Sequence, residues 1–437
     1  MAGVTSVDLA PSWTMADAAD CAATHFGLDA AASPLPSERD QNVALRTRDG
    51  QRFVLKIANP AESPAMLDAE SAVMARLAPL GVCPTTVPTA AGEAMALADG
   101  HWVRLITWLP GRPLGTLAHR SPRLLADLGR VSGEVTSALD GFDHPALHRE
   151  FRWDLARAGD EVAARVELVA DPALRDTVQR LLDRYRRDIE PVLGRLARSV
   201  VHHDANDFNV LVDPVNDRVT GLLDFGDMVA SHTVNDLAVA CAYGLLDTPD
   251  PLDAAATIAA ARDRVVPLLP DELDVLWGLA AMRLATSVCI AAEQQAAAPT
   301  NEYLGISQGP IAQVLARMAA IHPRLATAVL RAACGRPAVA HGPRLEAWLD
   351  ANQATFASPT GHDLRGGPVA AIELSIAGPL TVVIAGFFTL YLAIRTPDPV
   401  VTEDYYRQGI EINKTLGTEN VPAIQARNHA ATPAPKN

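Results

Sequence analysis

The densest chemistry in the chain lies at 200–227, VVHHDANDFNVLVDPVNDRVTGLLDFGD, where acids and amides stand against short apolar runs. Asp204 and Asn209 sit five apart, just before an apolar run at 210–212, and Asp224 directly follows a second run at 221–223. If the two runs pair as a hairpin, the three side chains meet at one end of it. A carboxylate free to accept a proton, beside an amide and a carboxylate offering hard oxygen ligands, can activate a hydroxyl and hold Mg²⁺ on nucleotide phosphates. Any one of these acids alone could simply cap a turn. Their convergence points to phosphoryl transfer.

A complementary half is expected upstream. Lys56 closes the apolar strand 53–55, and Glu70 falls on the inward stripe of a helix formed by Met66, Leu67, Val73, Met74 and Leu77. Pairing Lys56 with Glu70 would satisfy both charges and aim the ammonium at the nucleotide's α- and β-phosphates, as kinases do. The alternative is an unrelated surface lysine and a stray acid.

These residues need elements to position them. Segments 42–46 and 52–57 flank Asp49-Gly50, and 93–97 and 102–107 flank Asp99-Gly100, two hairpin signals. Between them Ser63-Pro64 starts the helix that carries Glu70. From Ser121 onward Leu124, Leu128, Val131, Val135 and Leu139 recur at helical spacing, and 172–189 and 271–294 read the same way. The fold class expected is α+β, a small antiparallel-sheet lobe at 1–110 followed by a mainly helical lobe at 111–340, with a cleft between them.

Composition sets the bounds. At roughly 150 residues per domain, 437 residues give about three units. The net charge of −14 argues against a nucleic-acid partner and favours small cationic ligands. Five scattered cysteines without a C-x-x-C pair suggest reduced cytosolic thiols, and no secretory signal opens the chain. No internal repeat is evident. Residues 341–372 read as a linker. The uncharged run 374–394, LSIAGPLTVVIAGFFTLYLAI, is long enough for a transmembrane helix, placed at 373–395, and 396–437 form a short, partly disordered tail.

The order His202-His203-Asp204 through Asn209, then Asp224-Phe225-Gly226-Asp227 and Asn235-Asp236-Leu237-Ala238, resembles the aminoglycoside phosphotransferase superfamily of small-molecule kinases. Within it, 37–42 (SERDQN), 104–114, Trp153-Asp154-Leu155 and 224–229 resemble the hydroxylysine-kinase-like branch, over about residues 20–340. The resemblance implies a two-lobed protein-kinase-like fold, Asp204 as catalytic base, Asn209 and Asp224 as Mg²⁺ ligands, and Lys56 with Glu70 as the phosphate-positioning pair. Thr107, Trp108 and Leu109 would be the hinge against the base of ATP or GTP. Residues 35–42 stand where the nucleotide-covering loop belongs, but without a G-x-G-x-x-G. His203 replaces the glycine common before the Asp, and His202 is expected as a structural brace. Asp207, Asp227 and Asp236 suggest an ammonium-bearing alcohol as acceptor, with Asp236 equally suited to bracing the loop. Hydroxylysine, amino alcohols, homoserine, choline and aminoglycosides are the acceptors implied, an amino acid or amino alcohol being favoured.

Residues 372–416 resemble FixH-type proteins, a small single-span family associated with assembly of cbb-type cytochrome oxidases; 376–379, Asp404-Tyr405-Tyr406, Gly409 and Asn413 carry the likeness. The expectation is a small-molecule kinase tethered to the lipid bilayer of the cytoplasmic membrane through 374–394, its kinase domain in the cytoplasm. The rival is a non-enzymatic accessory of oxidase assembly whose kinase-like domain only binds a ligand.

Overall fold

The computed structural model describes residues 10–37, 39–297 and 308–339, together with 344 and 347. The chain divides into two units, Met1–Gly378 and Pro379–Asn437, and the described residues all belong to the first. Apart from residues 344 and 347, the expected linker, transmembrane span and tail therefore lie outside the described residues.

The first lobe opens with α1 (Met15–Phe26), whose Thr14 and Asp17 form a reciprocal capping box. The strands are β1 (Ala30–Pro34), β2 (Gln41–Thr47), β3 (Arg52–Ile57), β4 (Thr86–Val87), β5 (Ala96–Ala98) and β6 (His101–Thr107), with α2 (Pro64–Leu77) inserted after β3. All pairs are antiparallel, in the order β1-β2-β3-β6-β4, and β5 also pairs with β6. Alternation along the strands sends Val43, Leu45, Leu55, Ile57, Val103 and Leu105 to the face covered by α1. Asn42, Lys56 and Arg104 share the opposite face, because Asn42 registers with Lys56 and Lys56 with Arg104. β1 escapes sequence reading: its AAASP has no β-branched or aromatic residue, and pairing with β2 makes it a strand.

The second lobe begins at β7 (Arg112–Pro113) and continues with α3 (Pro122–Ala138), α4 (Ala158–Ala163), α5 (Pro172–Arg184), α6 (Glu190–Leu193), β8 (Arg198–Val201), β9 (Val210–Asp213), β10 (Arg218–Leu222), β11 (Val229–His232), α7 (Val234–Gly244), α8 (Pro251–Asp263), α9 (Pro270–Ala297), α10 (Gln308–Ala320) and α11 (Pro323–Ala333). The helix expected at 172–189 is α5 followed by a π turn, Tyr185–Ile189. Tyr185 there packs its ring against Gly159, where a Cβ would meet it at 2.7 Å. β9 and β10 form the expected hairpin, with β7 on the outer edge of β9, while β8 pairs with β11.

Among the described residues, α9 alone is long and apolar enough to cross a membrane, and 78 % of its apolar window is buried inside the protein. It is the central core helix of this lobe, packed on α7, α10 and α11.

Candidate active site

The loop between β8 and β9 carries Asp204. It turns at His203, whose φ of 67° lies in the left-handed region where glycine is at ease. A histidine is held there by three contacts. Its N–H donates to Asp236 Oδ1 at 2.8 Å, and its buried Nε2 lies 2.9 Å from the Trp153 carbonyl and 3.2 Å from the Leu155 amide. Burial holds the His202 and His203 imidazoles below their ordinary pKa, so both are neutral bracing groups. His202 Nε2 sits 3.0 Å from the Leu223 carbonyl, and the Leu223 N–H donates to the Asn209 carbonyl at 2.8 Å, tying the Asp204 loop to the strand end before Asp224.

Both oxygens of Asp204 are gripped. Asn209 Nδ2 donates to Oδ2 at 2.6 Å, Asn206 Nδ2 lies 3.1 Å from each oxygen, and Arg283 Nη2 donates to Oδ1 at 2.8 Å. Burial, reinforced by Asp227 and Asp224 and opposed by Arg283, pushes the Asp204 carboxyl up to about 8. Asp224 has φ 58°, and the Gly226 N–H donates to its Oδ1 at 3.2 Å. Lys56 Nζ is 3.8 Å from the same oxygen and holds the Asp224 carboxyl below its ordinary range.

Lys56 does not pair with Glu70. Arg104 Nη2 donates to Glu70 Oε2 at 2.8 Å, and both side chains are buried. The cause is register: Arg104 stands directly opposite Lys56 on the same face, and its fork also reaches the Leu67 carbonyl of α2. Glu70 braces α2 on the sheet, and Lys56 is left to the Asp224 side of the cleft.

The three acids expected at an acceptor subsite also have other partners. Asp236 is buried and braces the loop through the His203 N–H. Asp207 lies 3.7 Å from the buried Arg120, which also donates to the Tyr243 carbonyl. Asp227 meets Arg39 of the 35–42 segment at 3.4 Å. At the hinge, the Thr107 N–H donates to the Thr85 carbonyl and the Trp108 N–H to the Arg52 carbonyl, while the Arg52 guanidinium lies over the Trp108 ring at 3.5 Å. Leu109 packs on Gly221 of β10, where an added Cβ would meet its Cδ1 at 3.0 Å.

Arg283, on α9, was not legible in the sequence as a site residue. A lone arginine inside an apolar helix was the available signal, since such a charge needs a partner.

The donor set fits a divalent cation. Asn209 commits its Nδ2 to Asp204, which leaves Oδ1 as an acceptor with no protein donor among the described residues, and Asp224 keeps an ionised carboxylate. Among the described residues no group of three or more His, Cys, Asp or Glu is placed to hold a metal ion by itself. Two protein oxygens with phosphate oxygens and water is the coordination Mg²⁺ accepts.

Comparison with known proteins shows the family and the fold. The model of the phosphotransferase enzyme family (APH) matches residues 31–274, more than half of the chain, and the FixH model matches 370–427. Hydroxylysine kinase of Danio rerio is 30 % identical over 317 residues, covering 68 % of this chain and 89 % of its own length. That of Mus musculus is 29 % identical over 328 residues, covering 68 % and 87 %. Among solved structures, amicoumacin kinase hAmiN in complex with AMP-PNP and Ca²⁺ superposes with a TM-score of 0.52 at 15 % identity, covering 70 % of this chain and 92 % of its own. A microcompartment-associated aminopropanol kinase gives 0.52 at 17 %, covering 74 % and 99 %. At such identity these two speak for the fold, which is kinase-like. With a family model over more than half its length and an Asp-Asn-Asp set gathered at one end of the β9–β10 hairpin, this chain is a small-molecule kinase and belongs to the phosphotransferase enzyme family.

Proposed function

We propose that the enzyme transfers the γ-phosphoryl group of ATP or GTP to the hydroxyl of an amine-containing metabolite, with hydroxylysine the favoured acceptor. The observation that carries this is the Asp204 carboxylate, fixed by Asn209 and near enough to Asp224, the partner of Lys56, to feel its charge. Asp204 accepts the proton of the acceptor hydroxyl as it attacks, so its oxygens must point at the oxygen they activate. Lys56 draws the nucleotide phosphates toward Asp224, and the hinge at Thr107, Trp108 and Leu109 receives the base. Asn209 Oδ1 and Asp224 would hold Mg²⁺, which would supply charge neutralisation at the transferred phosphoryl group. The likeness to hydroxylysine kinases favours an amino acid over an aminoglycoside, and the arginine partners of Asp207 and Asp227 leave a zwitterion as well suited to the cleft as a simple amine.

The FixH match at 370–427 supports a further element of the proposal. Residues 374–394 anchor the enzyme in the cytoplasmic membrane as a single span, with the kinase domain on the side where nucleotide is found.

The test is a coupled assay with Mg²⁺ and either ATP or GTP against hydroxylysine, ethanolamine, choline, homoserine and aminoglycosides, with Asp204→Ala as blank. Phosphorylation of one acceptor, abolished in the blank, is the expected result. Wild-type turnover by Asp204→Ala would overturn the assignment.

A further inference from the structure

Arg283 sits midway along α9, among buried apolar neighbours that include Leu279, Met282 and Leu284, and is itself 2 % exposed. Its guanidinium is enclosed by two aromatic rings, 4.7 Å from the Trp153 centroid and 5.6 Å from that of Tyr243. One nitrogen, Nη2, donates to Asp204 Oδ1 at 2.8 Å, whereas the buried Nε and Nη1 have no hydrogen-bond partner. A role in stability alone does not account for this arrangement. An apolar side chain at the same point of an apolar helix would leave no donor unsatisfied, and buried ion pairs are commonly no more stabilising than apolar replacements.

We propose that Arg283 is a positioning residue for Asp204, an inference that rests on Asp204 being the base. Arg283 fixes Oδ1 from the side of α9, and Asn209 fixes Oδ2 from the loop. Gripped on both oxygens, the carboxylate cannot rotate about its Cβ–Cγ bond. The lone pairs left over keep one direction, toward the acceptor. Asn206, within reach of both oxygens, does not distinguish them; the other charges near the carboxylate, Asp224 and Asp227, repel it and fix no angle. Trp153 completes the device. Its ring lies against the guanidinium while its carbonyl contacts His203, so the segment that holds Arg283 also holds the loop.

The test is steady-state kinetics of the full chain with Mg²⁺-ATP and hydroxylysine, or the acceptor that displaces it in the panel, for wild type, Arg283→Met, Arg283→Lys, Asp204→Ala and the Met/Ala double variant. Misplacing a reacting group by about 1 Å costs on the order of 100-fold in rate, which is the fall in kcat expected for Arg283→Met, with KM for nucleotide and acceptor unchanged. Arg283→Lys, which keeps the charge but not the fork, is expected to recover part of that loss. On the Asp204→Ala background Arg283→Met should cost nothing more. A wild-type kcat in Arg283→Met, or a loss confined to acceptor KM, would overturn the positioning role while leaving Asp204 as the base. Wild-type turnover by Asp204→Ala would remove both. If thermal melting shows that Arg283→Met does not fold, Arg283→Lys decides: reduced kcat at unchanged KM supports the role, and unchanged kcat overturns it.

Discussion

A carboxyl pushed up to about 8 is mostly protonated at neutral pH and half protonated only near pH 8, and a base must be deprotonated to act. The rate therefore rises with pH, and kcat/KM, which reports the free enzyme, should show an ascending limb centred near 8. A pH profile flat from 6 to 9 would refute this. The same shift acts on stability. Between its ordinary value of 3.8 and about 8, Asp204 is protonated in the folded chain and ionised in the unfolded one, so stability falls as pH rises through that window. Asp204→Ala should flatten this decline in melting temperature. Glu70 and Lys56 separate two kinds of loss. Glu70→Ala strands the buried Arg104 and should cost about 3–5 kcal/mol in urea unfolding. Lys56→Ala removes a cation whose partner, Asp224, is half exposed, and should spare stability while lowering turnover. Asp204, Asn209 and Asp224 were legible because a short loop and one hairpin bring them together. Arg283 lies 79 residues from Asp204, and Arg104 lies 34 from Glu70; no local spacing reveals such pairs.

At the scale of elements, the Asp-Gly hairpins, the Ser-Pro helix starts and the long α9 were legible because turn chemistry and periodicity are local. β1 and β4 were not, since each is a strand only through its neighbour's hydrogen bonds. The choice between Lys56 and Arg104 as partner of Glu70 was hidden for a related reason, as register is known only once β3 and β6 pair. Helix contacts were equally out of reach. Gly129 of α3 lets α8 approach so closely that a Cβ would stand 2.1 Å from the Ile258 carbonyl. Gly129→Ala should destabilise by about 1–3 kcal/mol, because backbone on both sides must shift. Gly194, with no atom within 4 Å of an added Cβ and φ of −64°, is the matched control: Gly194→Ala should be neutral or stabilising by about 0.4–1 kcal/mol. Equal melting temperatures for the two variants would show that α3 and α8 are not in tight contact.

For the molecule as a whole, the family match ends at residue 274 and the described fold at 339, so a chain ending at residue 360 should retain kinase activity. If the proposed anchor is correct, the full chain will sediment with membranes and the shortened one will stay in the supernatant; equal partition of both would remove the anchor. The two lobes also touch where Arg39 meets Asp227. This contact is long, 3.4 Å, and its arginine is 55 % exposed, so water and salt compete for it and breaking it costs at most about 1 kcal/mol. A contact that weak would present no large barrier to opening. On that energy, the parting of Arg39 from Asp227 should not by itself set the speed of this enzyme, so Arg39→Ala is expected to leave kcat within a few-fold of wild type.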